Sequence, residues 1–103
     1  MRIVAILALA LCLGSCATQT IKEKLNLYSG QPASVIIARL GYPTSEQTVA
    51  GAKGYIWSTN RFIEGTSIGC KIRVMVDAQE IVTAWDFEGS ESGCAAYASM
   101  LRR

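Results

Sequence analysis

Two cysteines set on two different periodicities constrain this chain more than any other feature. From Ile68 to Val76 the residues alternate, with Cys70, Ile72, Val74 and Val76 on one side and Lys71, Arg73 and Met75 on the other. That is the signature of a half-buried strand. Near the C-terminus, Cys94, Tyr97, Ala98 and Leu101 recur at i, i+3, i+4 and i+7 instead, which makes one stripe of a helix. Both thiols therefore point at an interior. A fold that brings this strand face and this helix stripe together places them within reach of one another. Bridging them would be worth roughly 3 kcal/mol through the closed loop alone.

Whether they bridge depends on the compartment, and the N-terminus bears on that. Met1-Arg2 supplies a short positive start, and Ile3 to Leu13 is unbroken apolar sequence. About 11 residues is short of the roughly 20 that cross a bilayer as a helix. The length and flanks are those of a secretion leader. Leu13-Gly14-Ser15-Cys16 follows directly. It resembles the lipobox of bacterial lipoprotein signal peptides, in which an apolar residue and two small ones precede the cysteine that is acylated. The resemblance implies cleavage between Ser15 and Cys16, lipid on the Cys16 thiol, and an oxidising compartment for the rest. Two or more acyl chains anchor stably where one does not. Ala17, rather than an aspartate, follows the cysteine. By the sorting pattern of such lipoproteins this implies the outer membrane, facing the periplasm.

This divides the chain into a leader (1–15), a lipidated cysteine with a polar tether (16–20) and one small folded domain (21–103). With Cys12 in the leader and Cys16 lipidated, Cys70 and Cys94 remain as an even pair, for which a disulfide is the default outside the cytoplasm. A metal or redox role is the alternative. The chain has no histidine and the two cysteines form no CxxC motif, so neither is supported.

Within the domain, Ile21, Leu25 and Tyr28 fit one face of a short helix. A second helix is expected over Gln31 to Leu40, with Pro32 in its first turn, Ala33, Ile36, Ile37 and Leu40 on its buried side, and Gly41 and Pro43 ending it. The period then changes to that of strands. One is expected near Gln47-Thr48-Val49, a turn over Gly51 to Gly54, and an aromatic strand at Tyr55 to Thr59. Asn60 to Ser67 reads as a connecting loop. Asp77 to Glu80 reads as a hairpin turn before a last strand, Ile81 to Phe87, with Ile81, Thr83, Trp85 and Phe87 on one face. Ser90 or Ser92 caps the closing helix. The expected fold is α+β: two short N-terminal helices packed on a three- to four-stranded antiparallel sheet, with a C-terminal helix tied to the sheet by a disulfide.

The order of helix, helix and antiparallel strands, with Gly30-Gln31-Pro32, Leu40-Gly41-Tyr42-Pro43, Tyr55-Ile56-Trp57 and Val76-Asp77, is similar to the SmpA/OmlA family of small outer-membrane lipoproteins. The cysteine pair and the closing helix depart from that family's core pattern. The resemblance implies a non-enzymatic role in outer-membrane assembly or integrity, with an envelope protein as partner. The alternative is a small lipoprotein inhibitor of a lysozyme or protease.

Chemistry-bearing patterns are sparse. Without histidine the usual general base and metal ligand are missing, and the eight carboxylates scatter over expected turns and surfaces. Asp86, Glu88 and Glu91 come closest to a cluster, and a solvated sheet face accounts for them. No cofactor, metal or enzymatic role is expected. The formal charge of +2, interspersed along the chain, offers nucleic acid no basic stripe. Binding is the expected output. The candidate contacts are Arg61, Phe62 and Ile63 in the loop, and Tyr55 and Trp57 if their strand face is not covered by the helices.

Overall fold

A computed structural model describes residues 16–103. The leader, with Ser15 at the expected cleavage position, lies outside the described residues. The elements are α1 (Cys16–Tyr28), α2 (Ser34–Leu40), β1 (Ser45–Val49), β2 (Ala52–Ile63), β3 (Thr66–Val76), β4 (Val82–Gly89) and α3 (Glu91–Arg102). The strands form one antiparallel meander in the order β1-β2-β3-β4. The fold is thus the expected α+β arrangement, with the sheet at its four-strand limit and α3 joined to β3 by the Cys70–Cys94 disulfide.

The core lies between one sheet face and the helices. Ile21, Leu25 and Tyr28 of α1, Ile36 and Leu40 of α2, and Cys94, Tyr97, Ala98 and Leu101 of α3 are buried there. From the sheet come Tyr55 and Trp57 of β2, the alternate residues Cys70, Ile72, Val74 and Val76 of β3, and Val82 of β4. Trp85 and Phe87 pack at the margin, half-buried. The periodicities of α1, β3 and α3 thus select the buried residues correctly. Trp57 also fixes the end of α2, since its indole Nε1 donates to the Gly41 carbonyl at 2.9 Å. Gly41 adopts a positive φ (84°), and its N–H closes the helix on Ile37 O.

Local chemistry sets the turns. The β1–β2 and β2–β3 hairpins each have a two-residue loop with positive φ at both positions: Ala50 (53°) with Gly51 (84°), and Glu64 (51°) with Gly65 (80°). That conformation matches the right-handed twist of the strands it joins. At the β3–β4 turn, Asp77 Oδ1 accepts the backbone N–H of Gln79 (2.9 Å) and of Ile81 (3.0 Å). An aspartate that organises its own turn in this way is a common hairpin device.

Five expectations need correction. The segment Asn60 to Ser67 is not a loop: β2 and β3 stay paired out to Ile63 and Thr66, leaving only Glu64-Gly65 as the turn. The turn expected over Gly51 to Gly54 is instead Ala50-Gly51, and Lys53 and Gly54 are already paired in β2. The tether 16–20 is helical, because α1 begins at Cys16. The second helix starts at Ser34, not Gln31. The preceding residues bond to β4 and its turn instead, with Gly30 N–H to Val82 O, Val82 N–H to Gln31 O and Ala33 N–H to Glu80 O, each at 2.9 Å. In β4, a register shift at Met75/Val76 buries Val82 and leaves Thr83 exposed, so Ile81 and Thr83 do not share the face of Trp85 and Phe87. Such a bulge inserts one residue and flips the alternation beyond it.

Candidate functional site

The candidate site is one end of the molecule, where the N-terminus of α1, the start of α3 and the outer part of the β2–β3 hairpin meet. Cys70 and Cys94 form the disulfide there, with Cα atoms 4.9 Å apart. Both cysteines are buried, in agreement with the two periodicities. The first turn of α3 lies directly on the backbone of β3. A Cβ on Gly93 would run into the Gly69 carbonyl, and one on Gly69 would meet the Thr59 carbonyl across the ladder. Glycine at position 93 lets the helix approach the strand closely enough for the bridge, and glycine at position 69 keeps the β2–β3 ladder free of a clash. Ser90 caps α3, accepting the Gly93 N–H at 3.0 Å.

The α1 terminus is held by a residue that the sequence does not single out for this purpose. Glu91 accepts the backbone N–H of Ala17 at 3.0 Å and of Thr18 at 3.3 Å, and also the Thr18 hydroxyl. These backbone groups are among the first four of α1, which have no partner within their own helix. Glu91 also sits in the first turn of α3, so one carboxylate faces the positive ends of two helix dipoles. The Thr18 hydroxyl, ahead of the two backbone donors, holds the Glu91 carboxyl below its ordinary range. At the other end of α3, Arg102 donates to Thr20 Oγ1 at 3.1 Å. The expected tether is therefore bonded to the domain from both ends of α3, which is why it is helical.

Beyond this junction the hairpin continues alone. β1 pairs with β2 no further than Ile56, and β4 pairs with β3 no further than Cys70. Residues Asn60 to Ser67 form a two-stranded ribbon, exposed throughout. Phe62 is 75% exposed and Ile63 48%. Across the ribbon Ser67 Oγ donates to Asn60 Oδ1 at 2.6 Å. Of the five candidate contacts, the structure brings Arg61, Phe62 and Ile63 together on this ribbon. Tyr55 and Trp57 are not there. Helices cover their strand face, and both lie in the core at 6% and 2% exposure.

Tyr55 has a structural task. Its hydroxyl donates to Glu80, which also pairs with Lys53 Nζ at 3.6 Å. The bond to Glu80, then burial, pushes the Tyr55 hydroxyl above its ordinary value. The group ties the β3–β4 turn to β2 at the end away from the ribbon. On the sheet face opposite the helices, Asp86 accepts Arg73 Nη2 at 2.7 Å. Asp86 and Glu91, two of the three carboxylates nearest to a cluster in sequence, are thus engaged separately. Among the described residues no group of three or more His, Cys, Asp or Glu side chains is placed to hold a metal ion. No helix among them is long and apolar enough to cross a membrane.

No family model matches the sequence, and neither the curated proteins nor the solved structures compared with it gave a match. The likeness to the SmpA/OmlA lipoproteins therefore rests on the residue pattern alone.

Proposed function

We propose that this chain is a lipid-anchored protein of the bacterial envelope, attached through Cys16 and serving as a protein-interaction module in outer-membrane assembly or integrity. The observation that supports this best is the Cys70–Cys94 bridge between β3 and α3. A structural disulfide in a small domain belongs with export to an oxidising compartment. Export is also what the apolar leader and Leu13-Gly14-Ser15-Cys16 call for. A body of about 88 residues gains much from such a staple, because a core this small leaves little stability in reserve. The exposed ribbon at Arg61-Phe62-Ile63 supplies apolar surface of the kind used in contacts.

Cross-linking in intact cells followed by recovery of the full chain from membranes tests the role. The expected result is capture of an outer-membrane protein or a peptidoglycan-linked partner, with the chain itself in the outer-membrane fraction. Recovery of the chain without any such partner contradicts the assembly role.

A further inference from the structure

We infer that the tip of the β2–β3 ribbon is a second membrane contact, resting Phe62 and Ile63 on the surface of the bilayer into which Cys16 is anchored. The inference rests on the lipid-anchored reading and adds to it an orientation for the whole domain. It follows from which end of the molecule each part occupies.

α1 is pinned at both ends. Just past its C-terminus, Gly30 and Gln31 bond Val82, at the start of β4. At its N-terminus, Ala17 and Thr18 bond Glu91, which follows the end of β4 at Gly89. The helix thus runs back along β4, and Cys16 emerges at the Gly89 end. β3 pairs with Gly89 at Cys70, and one residue further, at Gly69, it pairs with Asn60 of β2. From Asn60 the ribbon runs outward. Ile63 is three residues on, about 10 Å at the usual rise of a strand. The N-terminus of α1 and the ribbon tip therefore lie at the same end of the domain. What precedes Ala17 is hydrophobic in either form, as acyl chains on Cys16 or as the Ile3–Leu13 run.

The tip's composition suits a bilayer surface. Phe62 and Ile63 are successive strand residues and so point to opposite faces of the ribbon. A protein groove reading one face would need only one of them, whereas a lipid interface surrounds the tip and takes both. Arg61 and Glu64 balance in charge, so the contact is apolar and not a salt-sensitive attraction to anionic lipid. Glu64, at the turn, sets the depth. Its carboxylate stays among the headgroups, where the ammonium of phosphatidylethanolamine can meet it, and the two apolar side chains reach the headgroup–acyl boundary.

The experiment uses the full chain extracted from membranes and reconstituted in phosphatidylethanolamine/phosphatidylglycerol vesicles. A nitroxide is placed at Thr66→Cys, beside the tip, or at Gln79→Cys, in the β3–β4 turn at the far end. Both positions are exposed, and the native bridge leaves no competing thiol in the oxidised, lipidated protein. Collisions with oxygen, which concentrates in lipid, are compared with collisions with a water-soluble nickel chelate. The expected result is an oxygen-to-nickel ratio several-fold higher at position 66 than at position 79, falling to the far-end value in Phe62→Ser/Ile63→Ser and unchanged by added salt. Equal ratios in protein that floats with the vesicles overturn the tip contact and leave the anchor standing. A high ratio that survives the double substitution overturns the role of Phe62 and Ile63, and one abolished by salt overturns the apolar contact. Protein that does not float removes the anchor, and the tip contact with it.

Discussion

The same two strands behave differently along their length. Tyr55 and Trp57 of β2 and the alternate residues from Cys70 to Val76 of β3 are buried beneath helices, and Ile72 and Val74 are fully inaccessible. From Asn60 to Ser67 the two strands pair equally well, and every residue is exposed. The strand-forming sequence, the ladder and the turn chemistry are of one kind in both halves. What differs is the helix layer, and that layer ends at the first turn of α3. Strand pairing and core formation are therefore separable here, and stability is concentrated where the helices lie. An isolated two-stranded ribbon is marginal alone. This one persists because its base is continuous with the stapled region.

Substitutions can break or sharpen that contrast. The largest effect is expected in the covered half: Trp57→Ala removes a buried ring and its bond to Gly41, and should lower unfolding free energy by about 3–5 kcal/mol in a denaturant titration. Replacing Cys70 and Cys94 by alanine together should cost about 3 kcal/mol, seen as a lower midpoint than that of the oxidised parent and equal to that of the reduced parent. Gly93→Ala forces a Cβ against the Gly69 carbonyl and should cost about 1–3 kcal/mol by the same titration. Phe62→Ala, in the uncovered half, should change stability by no more than about 0.5 kcal/mol. A large loss there would show that the ribbon carries core-like packing and would erase the contrast.

A pH series sharpens the picture at the junction. The Glu91 carboxyl is held low in the folded state by Thr18 and the α1 backbone. Its contribution to stability is complete above the unfolded pKa and is lost as pH falls through the folded one. Stability measured from neutral to acid pH should therefore decline less steeply in Glu91→Gln than in the parent. Identical slopes would mean that the carboxylate does not hold α1.

Much of this arrangement is legible in the residue pattern. The Cys70 alternation and the Cys94 stripe each point inward, and only a strand packed on a helix satisfies both. The misread parts share a physical cause. Asn60 to Ser67 lacks the alternation that burial imposes, so its pairing leaves no mark on the apolar pattern. Glu64-Gly65 is the available signal, since glycine supplies one of the two positive φ values that such a turn needs. The role of Glu91 depends on bonds to residues more than seventy positions away, which no local pattern records. The Met75/Val76 bulge likewise displaces the buried face of β4 by one residue, and neither partner's sequence announces it.

The proposed lipid anchor at Cys16 and the Cys70–Cys94 staple both call for export, so one measurement bears on the whole account. Intact mass should be determined on protein extracted from membranes, with and without reduction and alkylation. The expected mass is that of residues 16–103 plus acyl groups, with two alkylatable thiols appearing only after reduction. An unlipidated chain that keeps its leader contradicts the anchor, and two thiols free before reduction contradict the staple.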